Sequence, residues 1–205
     1  MTQLRLRCRC GNLQGTASDV SPETGNHLVC YCDDCQAYAR FLGREGIVDA
    51  HGGTEIFQMT PSQLRLTAGD EHLCCLRLSE KGLMRWFAGC CRTPVGNTAS
   101  SARVPFVGVP HSFIDRGDSG RSLDDALGPI IGYANARFAT GSLPTDAHPK
   151  VPLRLIARGV RLLAAAWLAG KSRPSPFFDA STRAPVVLPQ VLTPAERDQL
   201  RPAAS

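Results

Sequence analysis

Seven of the chain's nine cysteines fall into three tight groups: Cys8-Arg9-Cys10, Cys30-Tyr31-Cys32-Asp33-Asp34-Cys35 and the adjacent pair Cys90-Cys91. Three thiols within six residues can converge on one ion where the backbone turns tightly. Thiolate is a soft ligand that zinc accepts in tetrahedral geometry, whereas an iron–sulfur cluster calls for four cysteines. The expected cofactor is therefore Zn2+, held by Cys30, Cys32 and Cys35. With three local ligands, two outcomes stay open: a fourth position left to water or a substrate thiol, or one closed by a residue from elsewhere. Cys8 and Cys10 form a half-site, since alternate residues of an extended chain share a side and Gly11 permits a close turn. Its partners are sought in Cys90 and Cys91, which are otherwise small buried hydrophobes. Cys74 and Cys75 lie in a strand-like run where neighbours face opposite ways, so core packing is expected for at least one.

An odd cysteine count argues against a closed disulfide set, and the N-terminal residues Met1 to Cys8 contain no apolar stretch of signal-peptide length. A cytoplasmic protein with metal-bound or catalytic thiols follows as the expectation. The longest apolar run, Leu162 to Gly170, is too short for a membrane span. The net charge of +5 is modest, and no nucleic-acid partner is expected.

Nineteen glycines and fifteen prolines interrupt the chain often, which favours short strands over long helices. Gln3 to Arg7 alternates and meets the turn Cys10-Gly11-Asn12, as a hairpin does. Thr54 to Met59, Leu64 to Thr67, His72 to Ser79, Met84 to Ala88 and Val104 to Val109 read as further strands in a mostly antiparallel pattern. Asp115 to Asp125 reads as a loop. From Val151 to Lys171 the period becomes helical. Leu153, Ile156, Val160, Leu163 and Trp167 share one stripe and are expected to pack on the β domain, with Arg154, Arg158 and Arg161 in water; a membrane-surface or partner-binding helix is the alternative. Phe177 and Phe178 are expected to anchor a Pro-rich stretch, and Thr193-Pro194-Ala195-Glu196 is a capping box opening a last helix. The division expected is a zinc-binding β domain over 1–150 and a helical, Pro-rich extension over 151–205.

The order Cys-x-Cys-Gly, then Cys-x-Cys-x-x-Cys, then Arg-Trp-Phe followed by cysteines and Thr-Pro resembles the glutathione-dependent formaldehyde-activating enzyme (GFA) family and its CENP-V-like relatives. Residues 1 to about 115 carry the resemblance. It implies a small, mainly β, antiparallel zinc-binding domain of the GFA type, here with a C-terminal helical extension. It also implies a structural zinc on Cys8, Cys10 and Cys91, and a second zinc, approachable by glutathione, on Cys30, Cys32 and Cys35. Where that family has Phe-Cys-x-x-Cys-Gly, this chain has Phe87-Ala88-Gly89-Cys90-Cys91-Arg92, so one ligand position is alanine and Cys90 is the candidate replacement. Tyr31 stands where histidine is frequent, and Asp33 and Asp34 either solvate the turn or move protons.

The activity implied is that of a carbon–sulfur lyase, making or breaking adducts of a small thiol such as glutathione with an aldehyde. The rival expectation is a non-catalytic, zinc-stabilised module that docks a partner through the C-terminal helix. A redox thiol pair at Cys32 and Cys35 ranks behind both, because no βαβ context surrounds it. The oligomeric state is left open.

Overall fold

Alternating buried and exposed residues generate most of the elements in this computed structural model, which describes residues 2–43, 46–115, 117, 123–141, 143 and 147–201. The chain runs β1 (Thr2–Arg7), β2 (Gln14–Val20), β3 (Asn26–Cys30), α1 (Asp33–Leu42), β4 (Thr54–Met59), β5 (Leu64–Ala68), β6 (Leu73–Arg77), β7 (Met84–Ala88), β8 (Thr93–Thr98) and β9 (Val107–Pro110). There follow α2 (Leu123–Leu127), β10 (Tyr133–Ala134), α3 (Leu153–Leu168), β11 (Gln190–Val191) and α4 (Pro194–Leu200). The architecture is mainly β, as expected, with a helical C-terminal part. β1, β2 and β5 form a small antiparallel sheet, and the second sheet has the order β10-β3-β4-β9-β8-β7-β6-β11. Its interior pairs are antiparallel, whereas the two-residue edge strands β10 and β11 pair parallel with β3 and β6.

Leu6, Ala17 and Val20 of the small sheet share one buried cluster with Phe57, Trp86, Val95 and Val109 of the large one. Trp86 sits at its centre, donating its indole N–H to Thr98 Oγ1 at 2.9 Å and stacking on Phe177 at 5.0 Å between ring centroids. Phe178 meets the same indole edge-on, so the two phenylalanines do anchor the Pro-rich stretch. The capping box also forms: Thr193 Oγ1 accepts from the Glu196 amide, and Glu196 Oε2 accepts from the Thr193 amide.

Several expectations need correction, among them the strand read over His72 to Ser79, which spans only Leu73–Arg77. Asp33–Leu42 is a helix and not part of a β-and-turn run; two acids in its first turn and the left-handed Gly43 at its end suit the helix dipole and the C-cap. The strand read over Val104 to Val109 begins only at Val107. α3 docks on a different stripe from the one expected. Leu155 and Ala166 are buried, while Ile156, Val160 and Trp167 are exposed and Leu163 is half-buried. Arg158, expected in water, reaches Asn26 Oδ1 at 2.6 Å and the carbonyls of Pro22 and Gly25. A guanidinium that satisfies three acceptors on β3 and the turn before it turns its own stripe inward and the apolar one outward. Most of the expected loop Asp115 to Asp125 lies outside the described residues, and its last three residues, Leu123 to Asp125, belong to α2 and not to a loop. Among the described residues, no helix is long and apolar enough to cross a membrane.

Candidate metal centres

The hairpin after β1 and the hairpin between β7 and β8 place four thiols in one cluster. Cys8 directly follows β1; its sulfur accepts from the Leu13 amide at 3.2 Å, and its carbonyl accepts from Gly11. Opposite it, the β7–β8 turn closes with the Arg92 amide donating to Ala88 O at 2.7 Å, and Arg92 adopts a left-handed φ of 59°. The sulfurs of Cys8 and Cys10 lie 3.5 Å apart, Cys10 and Cys90 3.3 Å, Cys8 and Cys90 3.9 Å, and Cys90 and Cys91 3.9 Å. A tetrahedral ion with metal–sulfur bonds of about 2.3 Å requires sulfurs about 3.8 Å apart, so the set could hold a metal without large movement.

Adjacent cysteines reach one centre because the turn is built for them. Ala88 ends β7 buried in the core and is no ligand position. Gly89 gives the clearance: a Cβ there would come within 2.8 Å of Cys74 Sγ. Thr93 ties the two hairpins, accepting from the Arg9 amide at 3.0 Å and lying 3.2 Å from Cys91 Sγ. Burial pushes the Cys8 thiol up, and for the exposed Cys90 partial desolvation by the neighbouring thiols and hydrogen bonds with Cys10 and Cys8 do the same. Burial also opposes ionisation of Cys91, but hydrogen bonds from Thr93 and Cys10 outweigh it and bring its pKa down to about 6.

The second cluster stands at a helix N-terminus. Cys30 ends β3, Cys32 is the N-cap of α1 with its sulfur accepting from the Cys35 amide at 3.4 Å, and Cys35 lies in the first turn. Their sulfurs lie within 4.8 Å of one another, and among the described residues no fourth Cys, His, Asp or Glu donor joins them. Cys35 is buried and the other two are half-buried.

Two side chains hold this cluster from outside. Asn135 Nδ2 donates to Cys30 Sγ at 3.6 Å. Arg85 is buried inside the sheet, its Nη1 lying 3.9 Å from Cys35 Sγ and its guanidinium over the Tyr38 ring at 5.2 Å. Hydrogen bonds from Cys30 and Cys32, joined by the Arg85 charge, hold the Cys35 thiol well below its usual range despite its burial. The bond with Cys32 favours the Cys30 thiolate, but the bond with Cys35 and burial outweigh it and push Cys30 up to about 12. Hydrogen bonds to its two neighbours raise Cys32 as well. Three thiols that could hold one metal ion thus stand beside one buried cation, Arg85.

The acids beside the motif do not face the thiols. Asp33 and Asp34 pair with Arg201, at 3.4 and 2.9 Å, and Tyr31 donates its hydroxyl to Asp49 at 3.2 Å. Cys74 and Cys75 stand outside both clusters, with Cys75 buried and pushed up to about 12 by that burial. Sequence reasoning missed Arg85 and Asn135. For Arg85 a signal existed, because an arginine between Met84 and Trp86 in an apolar strand needs a buried counter-charge.

Fold and site together define a mainly β protein with two thiol clusters that could each hold a metal ion. The chain belongs to DUF6151, a family of unknown function whose model matches residues 1–187; no GFA family model matches it. No curated protein matches it. A crystal structure of a Rhodobacter sphaeroides protein, a structural genomics target, is similar over 62% of this chain and 97% of its own, with 19% identity and a TM-score of 0.41.

Proposed function

We propose that this protein binds two zinc ions, one closed by four thiolates and one held by three, and that the second handles a small thiol such as glutathione in forming or cleaving its aldehyde adduct. The single observation that carries the reading is the unequal donor count: Cys8, Cys10, Cys90 and Cys91 bring four thiols together, enough for a tetrahedral ion, whereas Cys30, Cys32 and Cys35 bring three. The all-sulfur donors and the sulfur spacing of the first cluster fit zinc. In this reading residues 1–150 hold the metals, residues 151–205 are a C-terminal extension, and the protein works in the cytoplasm.

Zinc at such a site supplies Lewis acidity that lowers the pKa of an approaching thiol. The chain's own residues set the conditions. Three thiolates and one dication carry a net charge of −1, which the buried Arg85 offsets, and Asn135 fixes the orientation of Cys30. In the reaction proposed, the thiol sulfur adds to the aldehyde carbon as the carbonyl π bond opens, and the oxygen takes a proton; cleavage is the reverse.

The test is exchange NMR of glutathione with 13C-formaldehyde in the presence of zinc-loaded protein. Accelerated interconversion by the native chain, lost in Cys32→Ser, supports the reading; rates equal to buffer with both proteins remove it. A second reading, the non-catalytic docking module, is favoured by the apolar face that α3 exposes. Under it glutathione leaves the spectrum of the cobalt-substituted protein unchanged.

A further inference from the structure

α3 turns its apolar side to solvent. Leu153 is 82% exposed, Ile156 46%, Val160 60%, Trp167 65% and Leu168 79%. At about 100° per residue, Leu153, Ile156, Val160 and Trp167 fall within roughly 60° of arc, so they form one ridge along a helix about 24 Å long. The docked side is opposite, where Leu155, Gly159, Leu162 and Ala166 face the β domain and a cleft of about 440 Å³ lies beside Gly159, Leu162 and Ala166.

The charge around the ridge has one sign. Arg154 and Arg161 follow it on one rim, and Lys150, Lys171 and Arg173 stand exposed at its ends. No Asp or Glu occurs from residue 147 to residue 178. The nearby acid Glu23 sits on the docked side, where it feels Arg158. A convex apolar ridge with a cationic rim and a tryptophan near one end is the form of helix that lies in a lipid interface. A second copy of the chain fits less well, because a self-complementary contact sets the same patch against itself and this patch offers no acid to meet its arginines.

We propose that α3 is a membrane-surface element that lays Leu153, Ile156, Val160, Trp167 and Leu168 into the headgroup region of an anionic phospholipid bilayer, with Arg154 and Arg161 against the lipid phosphates. This is independent of turnover at the three-thiol site, and Cys32→Ser is expected to bind lipid as the native chain does.

The chain supplies its own reporter. Of its two tryptophans, Trp86 is fully buried and Trp167 is exposed, so a lipid-induced change in emission comes from α3. The full-length protein is titrated with vesicles of phosphatidylcholine alone and with vesicles of phosphatidylcholine and phosphatidylserine. With the anionic vesicles, a blue shift and loss of acrylamide quenching are expected, both absent from Trp167→Phe. At about fivefold in affinity per basic residue at an anionic surface, Arg154→Gln with Arg161→Gln weakens binding about thirtyfold. Val160→Asp removes binding while its circular dichroism and melting stay native, since Val160 is 60% exposed and outside the buried core. Failure to bind anionic vesicles, or equal affinity for both compositions, overturns the proposal. So does shielding of Trp167 that rises with protein concentration in buffer alone, accompanied by a dimer mass in sedimentation, because a second copy then covers the face.

Discussion

Cys10→Ser removes a thiol of the N-terminal hairpin that lies 3.3 Å from the sulfur of Cys90, 80 residues away in sequence, and that is a ligand in the proposed four-thiol site. Cys32→Ser disturbs a cluster whose outermost members, Cys30 and Cys35, are only five residues apart. Both substitutions are nearly isosteric. Cys10 is exposed and Cys32 half-buried, so lost packing is a small part of either effect. Where the loss of one thiolate releases the ion, the chain entropy freed as the cross-link opens grows as 1.5RT times the logarithm of loop length, so loops of 80 and five residues differ by about 2.5 kcal/mol. For a chain of this size that difference corresponds to roughly 5–10 °C in melting temperature. The assay is thermal unfolding by circular dichroism of the zinc-loaded variants under reducing conditions. Cys10→Ser is expected to melt below Cys32→Ser by that margin. Equal melting temperatures, or the reverse order, would refute the reading of the four-thiol cluster as the fold's long-range tie.

Three further outcomes follow from the packing. Arg85→Met takes the only cation in contact with Cys35 among the described residues away from the three-thiol cluster and should weaken its zinc affinity about 10–100-fold by chelator competition, with the four-thiol site unaffected. His27 faces acceptors on both ring nitrogens, the Gly128 carbonyl at 2.7 Å and Glu55 at 2.9 Å, and these raise its pKa although burial works against the charge. Its stabilising contribution is thus fully present below the unfolded value of about 6.5 and is lost as pH rises through the higher folded value; a melting-temperature gap between native and His27→Asn that narrows with rising pH checks the sign. Phe177→Ala empties the stack on Trp86 and should cost about 3–5 kcal/mol in denaturant titration.

What the sequence made legible was whatever depends on neighbours along the chain. Strand alternation placed Thr54–Met59 and Met84–Ala88 at their observed bounds, and the Thr193 capping box announced the last helix. The cysteine groups marked which residues meet. The dense thiols of 30–35 drew attention to a turn, although Asp33, Asp34 and Gly43 are helix-boundary residues and α1 begins there. α3 was recognised, but its orientation was not. Apolar residues cover more than half of its circumference, and the choice of stripe was made by Arg158 finding Asn26 and the carbonyls of residues 22 and 25, contacts that no period along the helix encodes. The role of Cys90 likewise depended on clearance at Gly89 and a left-handed Arg92, which are facts of three-dimensional packing.

The most direct test of the account is zinc content per chain by mass spectrometry of the metal, on protein purified under reducing conditions without added zinc. Two zincs for the native chain, falling to one in Cys32→Ser with the fold retained, is the expected result. A native chain that carries no zinc, or one whose zinc content is unchanged by Cys32→Ser, contradicts the assignment of two separate metal centres.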